Sequence, residues 1–191
     1  CTALMLLTIG ENGPITFSLP NQVYPTCNGT CDGSATAVAL GGTLPYTYSW
    51  NTVPAQNTAA AINMCDGTWD VTITDANGCT AVQSVTLTAP PALSLTFDNV
   101  VDALCQTQCD GLIDITVNGG TSPLTYDWVG PGGFPSTNED ISALCPGDHI
   151  ITITDANGCV LEDTATVGAT TVIISDAGPD TSICETDCVL L

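Results

Sequence analysis

Apolar and polar residues alternate along this chain with a period of two. In Trp69-Asp-Val-Thr-Ile-Thr74, Trp69, Val71 and Ile73 fall on one face and polar residues on the other, the pattern of a half-buried strand. Asn77-Gly78 follows, a pair suited to the two φ > 0 positions of a tight hairpin turn. Cys79 to Thr88 then reads as the returning strand. Upstream, Gly33 to Leu40 and Leu44 to Trp50 read as strands joined at Gly41-Gly42. Ile15 to Leu19 reads as a first strand and Ala59 to Asn63 as a short one. Six or seven short antiparallel strands in about 80 residues predict an all-β, immunoglobulin-like sandwich of two sheets.

The pattern recurs. Thr72-Ile-Thr-Asp-Ala-Asn-Gly-Cys79 returns letter for letter as Thr152 to Cys159, Cys31-Asp-Gly33 as Cys109-Asp-Gly111, and Gly41-Gly-Thr43 as Gly119-Gly-Thr121. Pro45, Tyr48 and Trp50 return as Pro123, Tyr126 and Trp128, and Cys27, Cys31, Cys65 and Cys79 as Cys105, Cys109, Cys145 and Cys159. Such self-similarity predicts a tandem array. The reading assigns 1–11 to the last strand of a preceding repeat, 12–90 and 91–168 to complete repeats, and 169–191 to the start of a further Ig-like module. Ala89-Pro-Pro91 leaves little slack between the complete repeats.

Charge narrows the function. The 191 residues hold 20 Asp plus Glu, one His and no Lys or Arg, a formal net charge of −20. Nucleic acid and anionic membrane surfaces, which are bound through Lys and Arg, are excluded as electrostatic partners. No apolar run is long enough to span a bilayer, so membrane insertion is not expected. Mutual repulsion predicts raised carboxylate pKa values and hence a fold more stable near pH 4–5 than at pH 8. Eleven cysteines point to an oxidising, extracellular setting with disulfides.

Strand geometry predicts the pairing. Cys31 and Cys65 precede strands that start at the same end of the sandwich, so Cys31–Cys65 and Cys109–Cys145 are expected to bridge the sheets. Cys79 lies a full strand from Cys65, roughly 23 Å, beyond the roughly 4.4–6.8 Å Cα separation that a disulfide tolerates. With repeats head to tail, Cys27–Cys159 is expected as a staple between them. The alternative is a local Cys27–Cys31 loop, with Cys79 free or bonded to another chain.

The strings Cys-Asp-Gly-Ser-Ala-Thr-Ala (31–37), Gly-Gly-Thr-Leu-Pro-Tyr-Thr-Tyr-Ser-Trp (41–50) and Val-Thr-Ile-Thr-Asp-Ala-Asn-Gly-Cys-Thr (71–80) resemble the SprB-type repeat of Bacteroidetes cell-surface adhesins of the gliding type. The resemblance implies export, a cell-surface or extracellular location, and adhesion or filament building. Partners would be other repeats of the same protein, other copies in a fibre, and surface glycans or a substratum.

No motif carries a reaction. Gly-x-Ser-x-Gly, phosphate-loop and His-Glu-x-x-His patterns are missing, and the chain reads as not an enzyme. His149, the one imidazole, takes the slot of Trp69 and reads as half-buried and structural. The adjacent acids Glu139-Asp140 and Glu162-Asp163 suit a solvated edge better than a catalytic pair. No cofactor is implied. Calcium is the candidate cation, with Asp98, Asp102, Asp176 and Asp180 near repeat junctions as ligands. Tyr46, Tyr48 and Trp50 read as core rather than a carbohydrate platform. Asp163-Thr164-Ala165 makes Thr164 a candidate O-glycosylation site. The function expected is a structural and adhesive segment; the alternative is a glycan- or calcium-binding module.

Overall fold

In the computed structural model, residues 13–170 are described. The chain divides into two compact units, Cys1–Pro90 and Pro91–Leu191. Each is taken by itself.

Among the described residues, unit 1 has six strands: β1 (Thr16–Val23), β2 (Gly33–Leu40), β3 (Thr47–Trp50), β4 (Ala60–Met64), β5 (Gly67–Thr74) and β6 (Thr80–Leu87). They form two three-stranded sheets, β1-β2-β4 and β3-β5-β6, with antiparallel pairing throughout. In immunoglobulin lettering these are sheets A-B-E and C-F-G, the arrangement of an Ig-like sandwich without strand D. Ala35, Ala37, Ala61 and Met64 of one sheet share a single buried cluster with Trp50, Val71, Ile73, Val85 and Leu87 of the other. The period-two pattern is thus satisfied by packing two inner faces together.

Unit 2 repeats the order. Strands β7 (Ser94–Val101), β8 (Gly111–Asn118) and β11 (Ile141–Leu144) make one sheet; β9 (Thr125–Gly130), β10 (Phe134–Ser136), β12 (Gly147–Thr154) and β13 (Val160–Val167) make the other. Its core joins Ile113, Ile115, Ile141 and Leu144 to Trp128, Ile151, Ile153, Ala165 and Val167. β10 is additional. The segment after Trp128 runs through Gly132 and Gly133, both at positive φ, and folds back on β9. In unit 1 the corresponding segment forms no strand and pairs with β3 through the isolated bridge Trp50–Gln56.

Three sequence expectations shift. β3 begins at Thr47 rather than Leu44, because Pro45 has no N–H for a ladder. β1 continues past Pro20 to Val23, because its register slips between Ser18 and Asn21 and a bulge tolerates the proline. At the hairpin, Gly78 has φ +83° but Asn77 is not among the positive-φ residues, so the turn is not the tight type expected. Gly78 N–H donates to the Asp75 carbonyl at 3.0 Å, and Asp75 N–H to the Cys79 carbonyl at 3.0 Å. The longer loop is held by a side chain, described next. The partial modules expected at 1–11 and beyond residue 170 lie outside the described residues.

Candidate functional site

Each unit is fastened at both ends. At one end the disulfide Cys31–Cys65 joins the approach to β2 to the β4–β5 turn; Cys109–Cys145 does the same in unit 2. Cys31 is therefore unavailable for a local loop with Cys27. Cys27, Cys105 and Cys159 are also disulfide-bonded, whereas Cys79 is an exposed free thiol. The side chain four residues after the second cysteine leans back onto that cysteine. Trp69 Nε1–H donates to the Cys65 carbonyl at 3.1 Å, and His149 Nε2 lies 3.0 Å from the Cys145 carbonyl. A carbonyl only accepts, so Nε2 carries the proton.

His149 is fully buried rather than half-buried, at 0% exposure. Its ring meets Phe134 edge-on, 6.0 Å between centroids, and its Nδ1 has no hydrogen-bond partner. Gly130 makes the room, since a Cβ there would come 2.3 Å from Nδ1. The imidazole is a structural stand-in for an indole.

At the opposite end sits a carboxylate that the sequence reading passed over. Asp75 is 7% exposed. Its Oδ1 accepts the N–H of Asn77 and of Cys79, both at 2.9 Å, and its Oδ2 accepts Thr43 N–H at 3.0 Å. Asn77 Nδ2 adds a bond to Thr43 Oγ1 at 2.9 Å. Asp155 repeats this on Asn157, Cys159 and Thr121. One side chain thus ties the β5–β6 hairpin to the β2–β3 loop, across the two sheets. Burial pushes both carboxyls up, but hydrogen bonds from Cys79, Thr43 and Asn77, and from their unit 2 counterparts, outweigh it and hold both below the ordinary range. The signal was the joint recurrence of Gly-Gly-Thr and Thr-Asp-Ala-Asn-Gly-Cys.

A third acid differs between units. Asp32 accepts Thr26 Oγ1–H at 2.6 Å, Thr26 N–H at 3.0 Å and Thr30 Oγ1–H at 3.0 Å. These bonds, the Thr26 hydroxyl foremost, lower its pKa to about 2. Its counterpart Asp110 accepts Leu104 N–H at 2.9 Å, with Leu104 and Gln108 where unit 1 has the threonines. At these three acids the shift runs opposite to the rise expected from mutual repulsion. With no Lys or Arg in the chain, N–H and O–H donors take the place of cations at these three acids.

The remaining candidates separate. Asp98 takes Thr116 Oγ1–H at 2.5 Å, and Asp102 takes Gly168 N–H at 2.8 Å. Among the described residues no group of three or more His, Cys, Asp or Glu is placed to hold a metal. Asp176 and Asp180 lie outside the described residues. Trp50 is buried at 1% exposure, its Nε1–H on the Thr58 carbonyl at 3.0 Å. Tyr46 and Tyr48 are half-buried against the same core, and Tyr46 bonds the Gly41 carbonyl. In unit 2, burial and the neighbouring Glu139 hold the Tyr126 phenol above its ordinary value. Glu162, Asp163 and Thr164 are exposed on the edge strand β13.

Residues 19–55 match the SprB repeat. No curated protein matches the sequence. Solved structures similar to the chain include the N-terminal four Ig domains of Dscam1 isoform 4.4, at 12% identity and TM-score 0.34, covering 84% of this chain and 47% of that one. The C-terminal 282-residue fragment of intimin, solved with the intimin-binding domain of the translocated intimin receptor, gives 10% identity and TM-score 0.38, covering 83% and 64%. The amphioxus IgVJ-C2 molecule gives 11% and 0.32, covering 83% and 98%. The chain therefore spans about half the length of the Dscam1 fragment, and the fold assignment rests on the strand order above.

Proposed function

We propose that this chain is a non-catalytic, structural and adhesive segment of a cell-surface or extracellular adhesin. The observation that carries this reading is what the recurring residues do. Asp75 and Asp155 spend their oxygens on backbone N–H groups, Trp50 and Trp128 fill the cores, and Cys31–Cys65 and Cys109–Cys145 close one end. The residues held in common serve the fold, and the intervening loops vary. The SprB-repeat match over residues 19–55 supports a surface location, as does the cysteine content.

Fastening both ends of a small sandwich suits an extended extracellular chain exposed to proteases and mechanical pull. The second reading, a glycan- or calcium-binding module, draws on exposed Thr and Asp on the outer faces. The chain on a glycan array, and in calorimetry with calcium, separates the two. The structural reading expects no saturable glycan binding and no stoichiometric calcium heat. Saturable binding of either would move the assignment to the second reading.

A further inference from the structure

Sheet edges are where a sandwich meets other chains, because an edge strand carries unpaired N–H and C=O groups. Most edges here are blunted. β1 contains Pro20 and a bulge, and β7 contains Asp98 and a bulge. β4 and β11 are short and irregular in register, with Asn63 and Ala143 at positive φ. β3 has four residues, and β10 has three with a proline. β13 is long and regular but presents Glu162 and Asp163. β6 has none of these protections. Thr80-Ala-Val-Gln-Ser-Val-Thr-Leu87 is eight residues long, without charge, proline or glycine, and in unbroken register with β5. It ends its sheet. β1 of the other sheet approaches it without pairing, and Val82 near its middle is 62% exposed.

We propose that β6 is a self-pairing edge, through which two copies of this chain join antiparallel, β6 to β6, into one continuous sheet. This goes beyond the structural reading above and can fail without it. Charge selects the occupant. With 20 acids and no Lys or Arg, the chain would attract a basic partner to its carboxylates, not to a strand that has none. An uncharged strand is matched by another uncharged strand, and a second copy supplies one. The nearest acid on the outer face is Asp70 on β5, held by Ser84 Oγ–H at 2.5 Å. Across a β6–β6 pair the two Asp70 rows stand three strand spacings apart, roughly 14 Å. That exceeds the Debye length of about 10 Å at 0.1 M salt. Two-fold pairing uses up the edge, so assembly stops at a dimer.

Sedimentation velocity on the chain across a concentration series, at about 0.15 M and about 0.01 M salt, tests this. The expected result is a monomer–dimer equilibrium that strengthens with salt. Val82→Glu should weaken it by at least about tenfold, with unchanged far-UV dichroism and melting, while Val82→Thr retains it. A chain monomeric throughout, or a Val82→Glu variant that associates like the wild type, would overturn the proposal. Neither outcome bears on glycan or calcium binding, which tests the structural reading separately.

Discussion

The two units share a strand order but not a core. On the inner face of β2, unit 1 places Gly33, Ala35 and Ala37; on β8, unit 2 places Gly111, Ile113 and Ile115. Ala61 on β4 corresponds to Ile141 on β11. The difference runs the other way on the facing sheet, with Trp69, Val85 and Leu87 in unit 1 against His149, Ala165 and Val167 in unit 2. Bulk moves from one sheet to the other, and the interior stays filled. Cores tolerate such exchange when volume and pattern are kept. Polar fastenings are less exchangeable, because each depends on one donor and one acceptor at a fixed separation. Accordingly Asp75 and Asp155 make the same backbone bonds, and Trp69 and His149 reach the same carbonyl from different rings.

The comparison can be broken at its common points. Trp50→Ala and Trp128→Ala remove the largest fully buried side chain of each unit, and each should cost about 3–5 kcal/mol, measured by urea unfolding followed by far-UV circular dichroism. Equal costs would show that the two cores depend alike on this one ring. Adding bulk to either core should cost less. Ala37→Ile puts unit 2's residue into a site closed by unit 1's larger neighbours, and Gly130→Ala drives a methyl into His149. Each should destabilise by about 1–3 kcal/mol.

The acids sharpen the contrast further. Asp75→Asn and Asp155→Asn keep the shape but weaken bonds that favour an ionised acceptor, so both should lower Tm. Asp32→Asn should lower it less, and Asp110→Asn least, because Leu104 and Gln108 leave Asp110 without the hydroxyl bonds of Asp32. Acid titration should show the same sign. Asp32, Asp75 and Asp155 have lower pKa values folded than their ordinary 3.8. Their stabilisation is therefore complete above the unfolded value and lost as pH falls through the folded ones, down to about 2 for Asp32. Thermal melts between pH 6 and pH 2 should show Tm falling below about pH 4. A Tm that rises on acidification would mean that repulsion among the other carboxylates dominates.

Strand positions were legible because period-two alternation reports directly on two facing sheets. β2 is placed to the residue, and β4 to β6 within one or two residues. The buried aspartates were legible only as letters. Their role depends on Thr43 N–H and Asp75 meeting across 32 residues, a contact that alternation does not encode. Asn77-Gly78 drew attention to itself as a turn pair, while the residue that organises the turn stood two positions earlier. Fully burying His149 required Gly130 and Phe134, and the loop supplying them differs between the units.

The central claim is that each unit is a two-sheet sandwich whose cysteine-bearing end and aspartate-bearing end lie a strand apart. Disulfide mapping of the unreduced protein tests it most directly, with a protease that cleaves at acidic or aromatic residues since the chain has no Lys or Arg. The same digest identifies the partner of Cys27, for which Cys159 is the sequence-based expectation. Linked peptides joining Cys31 to Cys65 and Cys109 to Cys145 are expected. Recovery of a peptide joining Cys65 to Cys79 within one unit would contradict it, because those residues flank opposite ends of β5.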